Sequence, residues 1–181
     1  EVGAAIISPA TLWPGIELHD PGNGRRFGGY LTSWTVIVDE NGVETLRLVG
    51  SDFQTDLANY LAWPEPTNAE EWWRNVVGGT IPRTTDLHNT VEMNCGPAVT
   101  AYGRRPIYGL EHGPDPAAGD PLPRRLKGEP LMAVARTLLW GTAWTARLRL
   151  VRAEDGSPSM LFETPSRPLA PIVLDVKRGS F

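Results

Sequence analysis

The hydrophobic period of this chain changes abruptly at Gly50, and the change dictates how the chain is built. Before Gly50 apolar and polar residues alternate, as they do in half-buried strands. Directly after it, Phe53, Leu57, Tyr60 and Leu61 fall at i, i+4, i+7 and i+8, the stripe of an amphipathic helix. In residues 48–66 a strand therefore ends and a helix begins at once. Ser51 or Asp52 is placed to cap that helix by accepting a bond from a free backbone N–H. Trp63-Pro64 and Pro66 stop it, because proline cannot continue the hydrogen-bond ladder.

Residues upstream read as a β-meander. A short strand is expected at 4–8, a turn at Pro14-Gly15, a half-buried strand at 16–19 and a bend at 20–24. A longer strand at 30–38 carries Trp34, Val36 and Val38 on one face. Asn41-Gly42 is a favoured hairpin turn, since both residues tolerate positive φ. Residues 45–49 return antiparallel, with Leu46 and Leu48 on one face. Gly28-Gly29 is expected to form a bulge that lets the sheet curl, as in a small barrel.

Downstream the pattern is mixed. A short helix is expected over 67–77, closed by Gly78-Gly79. A firmer one runs over 84–95, with Thr85 or Asp86 as cap, a stripe of Leu87, Val91 and Cys95, and Gly96 just past its end. Residues 104–128 form a connection rich in Pro and Gly, with one short strand at 107–110. A third helix, 129–141, has Pro130 in its first turn and Leu131, Val134, Ala135, Leu138 and Leu139 on its buried side. The strand 144–151, with Leu148 and Leu150 opposite Arg147 and Arg149, turns at Asp155-Gly156 into 159–163. A last strand begins at 171–176 and looks cut off soon after. The fold class expected is α+β, with a small antiparallel β-barrel. The 19 Gly and 17 Pro agree with many turns and short elements.

Composition narrows the function. A net charge of −4 argues against a dedicated nucleic-acid binder. Only Lys127 and Lys177 among the 17 basic residues are lysines. Arginine suits planar bidentate contacts at interfaces, and biased base composition explains the same bias equally well. The single cysteine, Cys95, excludes an intrachain disulfide and a cysteine zinc site, and reads as a small buried residue. No run of eighteen apolar residues is present. The start, Glu1-Val2-Gly3, has neither a signal-like segment nor an initiating Met, and reads as a processed or trimmed end.

Catalytic, cofactor and metal sites are not expected. His19, His88 and His112 show no ligand spacing, and His88 and Asp86 project from different sides of their helix. The hydrolase elbow and the phosphate-binding loop are both missing. Glu70-Glu71 beside Trp72-Trp73 is the best candidate for paired carboxylates. Its plainer reading is an acidic first helical turn that complements the macrodipole. Trp13, Trp34, Trp140 and Trp144 sit in apolar patterns and suit a core or a subunit interface. Trp63, Trp72 and Trp73 cluster around loops and suit a protein interface, with sugar stacking as the alternative. Arg104, Arg105, Arg124 and Arg125, with the strand pair Arg147 and Arg149, read as solvated surface or as partners for acidic rims of neighbouring subunits.

Several of these segments share a pattern. Pro14-Gly15, then Phe27-Gly28-Gly29-Tyr30-Leu31, then Val49-Gly50-Ser51-Asp52-Phe53 with Leu57, resembles the hub barrel of tailed-phage and contractile-tail proteins. The remainder is similar to tail-tip (baseplate hub) proteins of long-tailed phages that infect actinobacteria. It carries a helix ending Asn94-Cys95-Gly96-Pro97-Ala98 followed by Arg104 or Arg105, then an apolar helix and a strand hairpin.

That resemblance implies a barrel from 1–50 and 165–181 with an inserted α+β segment, 51–164. It implies a homotrimeric ring that continues the tail tube and supports host attachment and DNA ejection. The implied partners are copies of itself, the distal tail protein, the tape-measure protein and other tail-tip subunits. DNA is touched only transiently. The protein would be made in the host cytoplasm and reside in the virion. Family hubs carry two barrels per subunit and this chain has material for one, so a second lies beyond Phe181 or the hub is minimal. The runner-up function is a carbohydrate- or receptor-binding module of the same particle. A cell-wall hydrolase comes third.

Overall fold

In the computed structural model, residues 3–7, 15–20, 25–64, 76–152 and 158–166 are described. The meander expected from the alternating pattern is present. Strands β1 (Gly3–Ile7), β2 (Gly15–Asp20), β3 (Arg25–Val38) and β4 (Glu44–Asp52) form one antiparallel sheet in chain order. β2 pairs only with the first part of β3, from Arg25 to Tyr30. The rest of β3 pairs with β4 alone, so the two strands leave the sheet as a two-stranded ribbon.

Two local expectations in this region are corrected. The hairpin turn uses positive φ at Gly42 (77°) but not at Asn41. Gly42 N–H donates to Asp39 O and Asp39 N–H to Val43 O, each at 3.0 Å, which makes a type I turn followed by a left-handed glycine. The Asp39 carboxylate fixes it by accepting from the N–H groups of Asn41 and Val43. The bulge lies at Thr32, between the pairs Leu31–Gly50 and Ser33–Val49, and not at Gly28-Gly29. The Thr32 hydroxyl donates to Val49 O, as a bulged residue with no ladder partner can. The two glycines instead allow close approach. A Cβ on Gly29 would stand 2.2 Å from the backbone oxygen of Ser51, and one on Gly28 would stand 2.7 Å from the Phe53 ring.

The strand-to-helix junction is as abrupt as the period change implies, but it is built differently. β4 runs to Asp52, which pairs with Gly29, so Asp52 is a strand residue and not a cap. Helix α1 (Gln54–Asn59) starts from Phe53 with no side-chain cap. The helix ends at Asn59, before Trp63-Pro64. Its backbone is claimed there by a distant partner: β5 (Leu61–Ala62) pairs with β7 (Glu129–Pro130), and Leu131 N–H donates to Tyr60 O at 2.8 Å. Leu61 therefore leaves the apolar stripe and is exposed.

Helix α2 (Arg83–Cys95) also starts without a side-chain cap, from Pro82. Thr85 and Asp86 lie inside its first turn. The free N–H groups of Arg83 and Thr84 donate to the carbonyls of Gly119 and Ala118 across the Pro- and Gly-rich connection. Gly96 follows in an extended conformation (φ −70°), not the left-handed one expected after a helix, and leads into a 3₁₀ turn, Pro97–Tyr102. The short strand of the connection is β6 (Leu110–His112), later than expected. Helix α3 (Leu131–Leu139) buries the five apolar residues named for it. β8 (Arg147–Arg152) and β9 (Pro158–Glu163) form the expected hairpin, and β6 adds to β9 in parallel, giving the order β6-β9-β8.

The hydrophobic core of the described residues lies between Phe53 and Phe162. α1, α2 and α3 pack there against the β6-β9-β8 sheet through Leu57, Leu87, Val91, Leu131, Leu138 and Phe162. β3 reaches this core through Tyr30, whose ring meets Phe53 edge-on at 4.9 Å and whose hydroxyl donates to Asp56 Oδ2. The fold is mixed α+β with small sheets. The helix expected over 67–77 falls largely outside the described residues, as do the strand at 171–176 and the turn at Asp155-Gly156.

Candidate functional site

Among the described residues, the β3–β4 ribbon carries the largest group of exposed apolar side chains. Register places Trp34 opposite Leu48, Val36 opposite Leu46 and Val38 opposite Glu44, so Trp34, Val36, Val38, Leu46 and Leu48 share one face as the alternation implies. In the single chain that face is open: Trp34 is 65% exposed and Leu46 59%. Ile37 and Val49 are exposed on the opposite face. Two strands alone seldom bury enough to hold themselves together. Contiguous exposed apolar side chains of this kind are the surface that protein–protein contacts commonly use.

The residues singled out by sequence are dispersed. Arg124 is turned inward: its Nε and Nη2 donate to the Asp86 carboxylate at 2.9 and 3.0 Å, and Nη2 also donates to Thr90 Oγ1. Arg104 donates to Asn94 Oδ1 at 3.0 Å, and the same oxygen accepts the backbone N–H of Trp63. Arg105 and Arg125 are exposed. Trp63 is at the margin of exposure, over Gly128. Arg149 and Arg147 both pair with Glu163 on the neighbouring strand. Trp13, Trp72, Trp73, Glu70 and Glu71 lie outside the described residues. Trp140, read as core or interface, is 83% exposed. It stands at a groove of about 640 Å³ with Trp144, Arg136, Gln54 and Thr142. Cys95 is buried as expected, and burial raises its thiol to about 12, which keeps it unreactive.

One constellation was invisible in the spacing. His88 on α2 and His112 on β6 meet with their Nδ1 atoms 3.1 Å apart. His88 Nε2 lies 3.1 Å from Thr164 Oγ1, and His112 Nε2 lies 3.0 Å from Glu92 Oε2. The Phe162 ring packs edge-on against both imidazoles. Burial, and then the neighbouring His112, hold the pKa of His88 below its ordinary value. His19 lies on β2, in register with Arg26 of β3, so it belongs to a different sheet. Among the described residues no group of His, Cys, Asp and Glu is arranged to hold a metal ion. No helix among them is long and apolar enough to cross a membrane.

Comparison with known protein families matches residues 18–171 to the siphovirus ReqiPepy6 Gp37-like proteins. The chain belongs to this family. The Gp37-like match begins within β2, takes in the whole ribbon and the α+β core, and extends past β9. Membership supports a phage structural protein related to the siphovirus tail and associated with the virion. No curated protein and no solved structure matches the chain.

Proposed function

We propose that this Gp37-like chain is a non-enzymatic subunit of the siphovirus tail tip, a baseplate-hub component that assembles with copies of itself into a ring continuing the tail tube. The observation that carries this reading is the open apolar face of the β3–β4 ribbon, on a chain whose family is a siphovirus one. In a cyclic ring each interface is heterologous, so this face meets a different surface of the next subunit. A trimer is the proposed state. The β1–β4 sheet, with the C-terminal residues 165–181, is the proposed barrel. The segment 51–164 is the proposed insertion, which braces neighbours. Distal tail protein, tape-measure protein and other tail-tip subunits are the proposed partners. DNA passes transiently during ejection.

Light scattering of the purified chain tests the assembly. The expected mass is that of a trimer, falling to a monomer in Trp34→Ser, Leu46→Ser. A monomeric parent chain, or a double variant that still assembles, would contradict the proposal.

A second reading draws on a separate observation. The groove beside Trp140 combines an exposed aromatic face with Arg136, Gln54 and Thr142, the mixture that sugar stacking uses. Glycan binding abolished by Trp140→Ala would favour a carbohydrate- or receptor-binding module.

A further inference from the structure

The residues Glu92, His112, His88 and Thr164 form a continuous hydrogen-bonded chain that joins α2, β6 and the end of β9. Its proton arrangement follows from donor chemistry. An ionised Glu92 only accepts, so His112 Nε2 carries a proton. A neutral His112 then has a lone pair at Nδ1, and His88 Nδ1 must donate to it. His88 Nε2 in turn has a lone pair, and the Thr164 hydroxyl donates to that. With both imidazoles neutral, every bond of the chain can be made.

One added proton can be absorbed without breaking the chain. It adds to His112 Nδ1, beside the Glu92 carboxylate, while the proton on His88 moves from Nδ1 to Nε2 and is donated to Thr164. A second added proton cannot be absorbed. Both Nδ1 atoms would then carry hydrogens, and at 3.1 Å two N–H groups of two cations face each other. We propose that this chain is an acid-opened latch: it holds β6 and the loop that follows on α2 while at most one imidazole is charged, and releases them when both are.

The surroundings leave little to compensate a second charge. From α2 the nearby charges are Glu92, already bonded to His112, and Asp86, engaged by Arg124. From the loop, Asp115 attracts charge toward His88 but is itself held by the Thr85 hydroxyl. From the β9 side, Phe162 and Thr164 face the pair, and Glu163 is taken by Arg147 and Arg149. His88 is 7% exposed, so water does not reach it freely. The contacts downstream of the latch are backbone bonds: Gly113 N–H to Phe162 O and Thr84 N–H to Ala118 O.

Nitrogen-15 NMR of the imidazoles and amide hydrogen exchange of the full chain test the latch. At pH 7.5 His88 should carry its proton on Nδ1 and His112 on Nε2, and a proton on His88 Nε2 would overturn the arrangement. Between pH 7.5 and 5 the protection of the Gly113 and Thr84 amides, corrected for intrinsic rate, should fall at least tenfold while α3 amides keep theirs. Protection that does not change with pH overturns the proposal. In Glu92→Gln, a mild change at an exposed position, the closed chain loses the carboxylate that accepts from His112 Nε2, so the loss should move to higher pH. An unmoved midpoint also overturns it.

Discussion

At the scale of single residues, the buried ion pair is the most consequential feature. Arg124 and Asp86 have side-chain exposures of 10% and 5%, so removing either partner leaves the other charge desolvated. Arg124→Met should cost about 3–5 kcal/mol in a urea titration, whereas the exposed neighbour Arg125→Met should change stability by under about 0.5 kcal/mol. The sequence shows two adjacent arginines with nothing to separate them. What distinguishes them is the isolated bridge between Val77 and Arg124, which turns one side chain toward α2. His88 gives a second test. Its pKa is lower in the folded state than in the unfolded chain, so neutral His88 stabilises the fold above about pH 6.5 and this contribution is lost as pH falls. Melting temperature should therefore drop from neutral pH toward pH 5, and the drop should be smaller in His88→Gln. Neither the His88–His112 contact nor its Glu92 and Thr164 partners could be read from spacing. The two imidazoles sit 24 positions apart and meet only through the α2–β6 packing.

At the scale of elements, what the sequence showed and what it hid divide along a physical line. The ribbon strands, α2, α3 and the β8–β9 hairpin carry their signal locally, as alternation or a helical stripe, and each appears close to where that signal puts it. Their ends do not, because distant backbone groups decide them: Leu131 closes α1 through Tyr60, and Gly119 and Ala118 cap α2. The parallel pairing of β6 with β9 has no local signature either. Two variants probe this level. Leu138→Ala, in the buried stripe of α3, should cost about 2–5 kcal/mol by chemical denaturation. Tyr30→Phe should cost about 1–3 kcal/mol, because the half-buried Asp56 carboxylate loses the hydroxyl that joins β3 to α1. A Tyr30→Phe protein as stable as the parent would show that the sheet and the helical core are not coupled through this bond.

At the scale of the whole molecule, the family match and the exposed ribbon point in one direction. A chain of the siphovirus Gp37-like family keeps a well-filled α+β core and projects an apolar ribbon that its own described residues leave uncovered. Two paired strands alone are marginally stable in water, and the proposed assembly supplies a neighbour to cover them. The change of period at Gly50 marks the passage from the β1–β4 sheet to the α+β core, with Asp52 ending the strand instead of capping a helix. Electron cryo-microscopy of intact tails from the phage that encodes this chain tests the central claim most directly. The expected density shows three copies in a ring at the distal end of the tail tube, each β3–β4 ribbon buried against its neighbour. A particle without the chain, or one in which the ribbon faces solvent, would contradict it.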